Sequence, residues 1–388
     1  MSETIAFVNQ RYGLEVNGGS ELLCRQMAEK LSEIYDVEVI TTCALDYVSW
    51  ENHYAAGQTL INGVKVRRFS VEKTRNTKAF DKLSGEVLGA KDYSKEEKWI
   101  DEQGPYCPEC VSWLKEHHGE YKAVIFMTYL YYITAVTLSE PMDNAVLLPT
   151  AHDEPPLYLP IYKRVFKNAR AFIYLTDEEK ALVEKKFGVE NVPNIITGAG
   201  VDVPRAEDLF DAKERYALSD YLLYVGRIDE SKGCSRLFRY FGEFKKRNGF
   251  PELKLVLCGK AVSDIPKRDD VVSLGFVTDE EKFSLIKDCK ALVLASEYES
   301  LSMAVLEAMT YNRPVLVNGK CKVLRGHCVK SNAGLYFENY FEFEGALNYM
   351  LTNSEGYARL CEGGRGYVDK NYRWDVIIKK VETLLACL

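Results

Sequence analysis

Short apolar runs alternate with amphipathic stretches along the whole chain, and this pattern constrains the fold more than any other feature. A strand written as an unbroken apolar run is covered on both faces. An amphipathic stretch between two such runs is the crossover helix of a parallel sheet. The pattern predicts a first series of strands at Thr4–Asn9, Val37–Thr42, Val64–Phe69, Ala123–Met127, Ala145–Leu148 and Ala171–Tyr174, with helices over Ser20–Tyr35 and Asp177–Phe187. A second series follows at Tyr221–Gly226, Leu253–Cys258, Val271–Leu274, Ala291–Ala295 and Pro314–Asn318. Between the series lie Gly198–Pro204 and a charged stretch to about Asp220, which puts a boundary near residues 200–215. At ~100–200 residues per domain, 388 residues suit two domains. The expected architecture is therefore α/β, with two Rossmann-like, doubly wound domains over 1–205 and 206–370, facing across a cleft. A last helix over 371–388, apolar at Trp374, Ile377, Ile378, Val381, Leu384 and Leu385, is expected to pack back towards the first domain. Ligands of such sheets bind beyond the carboxyl ends of the strands, where turns lead into helices.

Composition narrows the ligand. Fifty basic side chains stand against 57 acidic ones, a net charge of −7, which argues against general nucleic-acid binding. No apolar run approaches the ~18–20 residues of a membrane span, and the first residues read as neither a basic nor an apolar leader, so the expected compartment is the cytosol. The eleven cysteines are odd in number and scattered, several inside apolar runs, as reduced core thiols are. Cys107 and Cys110 with His117 and His118 resemble a zinc set. However, Pro108–His118 reads as one helix, and at 1.5 Å per residue Cys110 and His117 stand about 10 Å apart along it, too far to share a metal. No metal is expected.

The turns are more specific. A dinucleotide fingerprint fails because Val203 stands in the third glycine place after Gly198 and Gly200. Gly259-Lys260 and Gly319-Lys320 lack the rest of a P-loop, and Leu22 breaks a nucleophile elbow at Gly18-Gly19-Ser20. No D-x-D triplet occurs, the carboxylate pair by which many sugar-nucleotide enzymes hold a metal-bound diphosphate. What remains is a set of loops suited to anions. Gly18 and Gly19 open a helix directly after the first strand, where backbone N–H groups can approach a phosphate. Gly226-Arg227 and Lys232-Gly233 flank one turn, so two cations can converge on a diphosphate and supply the charge a metal would bring. Glu299 lies in a strand-end turn, Ser302 is placed to N-cap the next helix, and Glu307 is an acid on that otherwise apolar helix, where ribose hydroxyls would satisfy it.

With Gly18-Gly19-Ser-Glu, His152-Asp153, Gly200-Val201-Asp202, Gly226-Arg227, Lys232-Gly233, Gly275-Phe276-Val277 and the pair Glu299/Glu307 in this order, the chain resembles, over essentially its whole length, the retaining glycosyltransferases of family 4, which have the GT-B architecture. The resemblance implies that Arg227 and Lys232 hold the donor diphosphate without a metal. It also implies that Glu299 contacts the donor sugar, that Glu307 holds the ribose, that Phe276–Val277 borders the base, and that His152 reaches the donor sugar. Ala199 stands where the family often has Asn, and Ser300-Leu301-Ser302 where it often has Gly-Phe-Gly, so the donor-side contacts of Ser300, Leu301 and Ser302 are this chain's own.

The expected activity is metal-independent transfer of a sugar, with retention, from a nucleoside-diphosphate sugar co-substrate to a hydroxyl acceptor, in glycan or surface-polysaccharide assembly, with no further cofactor. A GT-B sugar-nucleotide epimerase and a non-catalytic sugar-nucleotide-binding protein are the alternatives. The acceptor class, whether glycan, lipid-linked or small molecule, stays open; Asp153, Tyr106 and Tyr158 are candidates for its wall. Seven cations between Lys65 and Lys82 stand against Glu72 and Asp81. This net-basic stretch is a candidate for an anionic acceptor or for peripheral contact with the inner face of a membrane.

Overall fold

The computed structural model describes residues 3–16 and 18–388; Met1, Ser2 and Asn17 lie outside the described residues. The chain divides into two compact units, one running to Gly198 and taking in Ile377–Leu388, the other spanning Ala199–Val376.

The first unit is built on eight strands: β1 (Thr4–Val8), β2 (Asp36–Thr42), β3 (Gly57–Ile61), β4 (Val64–Phe69), β5 (Ala123–Met127), β6 (Ala145–Leu148), β7 (Ala171–Tyr174) and β8 (Asn194–Ile196). Their order is β3-β4-β2-β1-β5-β6-β7-β8, and only β3 runs antiparallel to its neighbour. Ile5–Val8 and Ala123–Met127 are buried throughout, the consequence of helices on both faces. From β1 the chain moves outward through β2 and β4, then returns to pair β5 with the other side of β1.

The second unit repeats the plan with β9 (Tyr221–Val225), β10 (Lys254–Cys258), β11 (Val271–Gly275), β12 (Ala291–Leu294), β13 (Val315–Asn318) and β14 (Gly334–Phe337), in the order β11-β10-β9-β12-β13-β14, all parallel. Here the reversal falls between β9 and β12. Such a reversal opens a crevice beyond the carboxyl ends of the two central strands, because their following loops turn away to opposite faces.

The helices that bear on function are α1 (Gly19–Leu31), α2 (Pro108–His117), α3 (Asp177–Phe187), α4 (Cys234–Arg247), α5 (Asp279–Asp288), α6 (Met303–Thr310), α7 (Lys322–Ser331), α8 (Ser354–Asn371) and α9 (Trp374–Leu385). Two helices differ from expectation. The first stops at Leu31 rather than Tyr35, where Ser32 turns its hydroxyl onto the Glu29 carbonyl. The last begins at Trp374, since Asn371 still ends α8. Within the first unit, Lys380 Nζ donates to the Ile196 carbonyl at 2.9 Å and ties α9 to β8.

Every cysteine is a free thiol. Cys107 and Cys110 are buried in the core. His117 stacks on Trp113 and bonds Glu120, and His118 bonds Asn144, so the four do not meet. Among the described residues no helix is long and apolar enough to cross a membrane.

Several cations of the basic stretch have partners within the first unit. Lys65 pairs with Asp36 and Arg67 with Glu38, while Lys73 pairs with Glu102. Arg68 is buried and donates to the carbonyls of Thr42 and Tyr12. Arg75 donates to carbonyls of Tyr47, Glu102 and Gln103. Alternation along β4 puts Arg68 on the face opposite Lys65 and Arg67.

Candidate active site

The loop after β9 is shaped by Asp229. Its carboxylate accepts from Ser231 Oγ at 2.6 Å and from the Lys232 N–H at 3.0 Å, and it pairs with the Arg227 guanidinium. Burial works to raise the Asp229 carboxyl, but the bonds from Ser231 and Arg227 outweigh it and hold the group below the usual carboxylate range. Tyr224 Oη donates to the Arg227 carbonyl at 2.7 Å, closing the turn from below. Gly233 is required at the end of this loop. Its φ is +71°, and a Cβ there would lie 2.3 Å from the Ala295 carbonyl oxygen, so the two loops touch backbone to backbone.

The loop after β12 lies against it. Asn318, at the end of β13, donates to the carbonyls of Ala295 and Ser296 at 3.2 Å each and fixes the start of the turn. Glu299 then receives Lys232 Nζ at 2.8 Å. Gly226, Lys232, Ser296, Glu299, Ser302 and the first residues of α6 line one open cavity at the β9/β12 reversal. The Ser296 hydroxyl is fully buried on that wall and has no hydrogen-bond partner among the described residues. A buried hydroxyl left unbonded in a cavity is a group for a ligand to satisfy. Serine in a strand-end turn carries no signal of its own in a sequence, and Ser296 was not legible there.

The cavity gathers Gly226, Lys232, Glu299 and Ser302, but not every expected residue. Arg227 is turned onto Asp229 and Ser231. Leu301 is a core side chain, 4% exposed, which removes it as a donor contact. Ser302 does occupy the N-cap position, but with φ +70° its hydroxyl makes no cap bond. Ser300 is half-buried beside it. Glu307, buried on α6, accepts from Lys282 Nζ of α5 at 3.0 Å. The residue expected to hold the ribose thus also carries an ion pair, with a lysine that the sequence did not single out. Phe276 is 78% exposed after β11, with Val277 half-buried beside it.

Residues 206–367 match the family model described as glycosyl transferases group 1. The match lies within the second unit. An alpha-D-kanosaminyltransferase of Streptomyces kanamyceticus is 30% identical over 183 residues, covering 42% of this chain and 46% of that protein, so the match spans about half the relative's length. An uncharacterized glycosyltransferase of Methanocaldococcus jannaschii is 23% identical over 402 residues, covering 97% and 96%. Among solved structures, Anabaena HepE in complex with UDP and glucose superposes with a TM-score of 0.72 at 16% identity, covering 100% of both chains. The likeness to HepE gives the chain the GT-B fold.

The first unit carries the remaining candidates. Gly18 precedes α1, and a Cβ there would fall 2.0 Å from Glu21 Oε2; Gly19 has open space. The reason is a buried ion pair that sequence reading missed. Glu21 Oε1 accepts from Arg11 Nε at 3.0 Å and from Gln10 Nε2 at 2.9 Å, and Ser20 Oγ donates to Oε2 at 2.9 Å. The two charged side chains are 6% and 5% exposed. His152 and Asp153 follow β6. Their loop is anchored by Glu179 of α3, which accepts the N–H groups of Ala151 and Leu175 at 2.6 Å each. Burial pushes the Glu179 carboxyl up to about 8, against the pull of these backbone donors. Asp153 accepts from Tyr158 Oη at 2.5 Å, and Lys186 Nζ lies 3.4 Å from the centre of that exposed ring. Tyr106 does not join them. Its ring packs on Tyr132 at 4.9 Å and belongs to the core edge.

Proposed function

We propose that the chain is a retaining, metal-independent glycosyltransferase of the family 4 type, using a nucleoside-diphosphate sugar as donor. The observation that carries this reading is the Lys232–Glu299 pair inside the cavity at the β9/β12 reversal, beside the uncapped N-terminus of α6. A cation and a helix N-terminus suit a diphosphate, and a carboxylate next to them suits sugar hydroxyls. The C1–O bond of the donor breaks and the diphosphate takes the electron pair. The acceptor oxygen bonds C1 from the same face, and its proton passes to the departing diphosphate. Lys232 stabilises the charge that develops, with Arg227 released from Asp229 to join it. His152, in the first unit, keeps the donor-sugar role that the resemblance implies.

HepE has been solved with UDP, which makes UDP-sugars the first donors to try. Thermal shift with UDP, GDP and ADP is expected to single out one base, since a ligand at 100 times its Kd adds about 2.7 kcal/mol of apparent stability. Release of nucleotide from the matching sugar donor is expected to continue in chelator. Complete loss with chelator, restored by Mg²⁺ or Mn²⁺, would overturn the metal-independent reading. Interconversion of free sugar nucleotides without nucleotide release would mark an epimerase instead.

The two glutamates are expected to fail differently. Ribose contacts are equal in ground and transition states, so Glu307→Gln should raise donor KM with kcat little changed. Glu299 faces the sugar whose charge and shape change. Glu299→Gln should lower kcat by ~10–150-fold, the equivalent of about 1.5–3 kcal/mol for a charge-assisted hydrogen bond. Steady-state rates with donor varied decide it; equal kcat losses would place Glu307 in the transition-state contacts too.

A further inference from the structure

Ser302 holds a left-handed conformation, φ 70° and ψ 82°, at the cavity wall. That region is open to glycine and costly for a residue with a Cβ, and such strain persists only where neighbours over-determine it. The neighbour that does so is a buried hydrogen-bonded chain. The Leu301 carbonyl lies 2.7 Å from His327 Nε2, His327 Nδ1 lies 3.0 Å from Tyr367 Oη, and Tyr367 Oη lies 2.9 Å from Tyr372 Oη. His327, on α7, is 1% exposed; Tyr367 is on α8.

The chemistry of each group orders the protons. A carbonyl only accepts, so Nε2 carries the hydrogen. Burial pushes the imidazole down to about 4, so at neutral pH the ring is neutral and Nδ1 is bare. Tyr367 therefore donates to Nδ1, and its oxygen is left to accept from Tyr372.

We propose that His327 is a positioning residue for the donor loop: by binding the Leu301 carbonyl it fixes the Leu301–Ser302 peptide plane and holds Ser302 in its left-handed turn. In a trans peptide the C=O and the following N–H point in opposite directions. With the carbonyl drawn to the buried imidazole, the Ser302 N–H is turned the other way, and the start of α6 is presented uncapped beside Lys232 and Glu299. The donor part of this inference rests on the function proposed above; the backbone part does not.

Three variants separate the roles. Glutamine places its amide nitrogen at the reach of Nε2, so His327→Gln keeps the donor to Leu301. His327→Leu keeps bulk without a donor. Ser302→Gly added to His327→Leu removes the need for the restraint. Amide hydrogen exchange of the full chain is expected to quicken about tenfold at residues 301–304 in His327→Leu, the scale of one lost hydrogen bond, and to return towards wild type in His327→Gln. Calorimetry with UDP as probe should show about tenfold weaker binding in His327→Leu, and recovery in both His327→Gln and the glycine double variant. If exchange rises evenly across the second unit, or if glutamine is as damaging as leucine, His327 is only a core residue and the proposal is wrong. Should wild type itself not bind UDP, it is the donor reading that fails, and the exchange data still decide the role of His327.

Discussion

Lys232→Ala is expected to lower kcat for sugar transfer by ~10²–10³-fold while the second unit stays folded, the range seen when one preorganised donor to a developing oxyanion is removed. The lysine sits where it can act this way. Its side chain is one-third exposed, so holding it in place buries little charge, and its ammonium pairs with Glu299 at 2.8 Å. Asp229 fixes the backbone of Lys232 through the 3.0 Å bond to its N–H, so the ammonium is aimed before any ligand arrives. A leaving diphosphate gains negative charge as the glycosidic bond breaks, and a fixed ammonium is stronger for that state than for the intact donor. Loss should therefore fall on kcat more than on donor KM. Lys232→Ala also frees Glu299, so the control is Lys232→Arg, which keeps the charge and loses the point geometry. A variant that raises KM alone would mean that Lys232 binds donor and transition state equally.

Strands covered on both faces were legible as apolar runs: β5, β6 and β7 were placed to the residue, as was β4 although Lys65, Arg67 and Arg68 break its run, and β1, β2, β9, β10, β11, β12 and β13 were placed to within one residue at an end. The edges were not. β3, Gly57–Ile61, pairs on one side only and is exposed along its length, so Gln58 and Thr59 read as loop. β14 is likewise an edge, with one neighbour and Tyr336 partly exposed.

At the site, Gly226, Lys232 and Glu299 were legible because their meaning lies in local turns at strand ends. Arg11, Glu21, Ser296 and His327 were not, because each takes its meaning from a partner that only the fold supplies. Glu21, in the first turn of α1, finds Arg11 ten residues back in the preceding loop, and His327 finds Leu301 across 26 positions. The same holds for Arg68 in the basic stretch. Arg68 looks like a surface cation until its guanidinium is seen on the carbonyls of Tyr12 and Thr42, 56 and 26 residues away.

The Arg11–Glu21 pair gives the largest expected effect on stability. Arg11→Met should destabilise the first unit by about 3–5 kcal/mol, because it leaves a carboxylate buried without its counter-charge. Gln10 and Ser20 would still donate to Glu21, but neutral donors do not replace a guanidinium whose Nη1 also holds the Leu45 carbonyl at 2.8 Å. Glu21→Met strands the cation in the same way, and Gly18 tolerates no side chain there because a Cβ would lie 2.0 Å from Glu21 Oε2. Replacing both partners at once removes the uncompensated charge, so the double variant Arg11→Met/Glu21→Met should lose less than either single one. Urea unfolding followed by tryptophan fluorescence reads the right unit, since Trp50, Trp99 and Trp113 lie in the first unit and only Trp374 in the second. A double variant that loses the sum of the two single losses would mean that the charges are not coupled, and that each is held by its own polar neighbours rather than by the other.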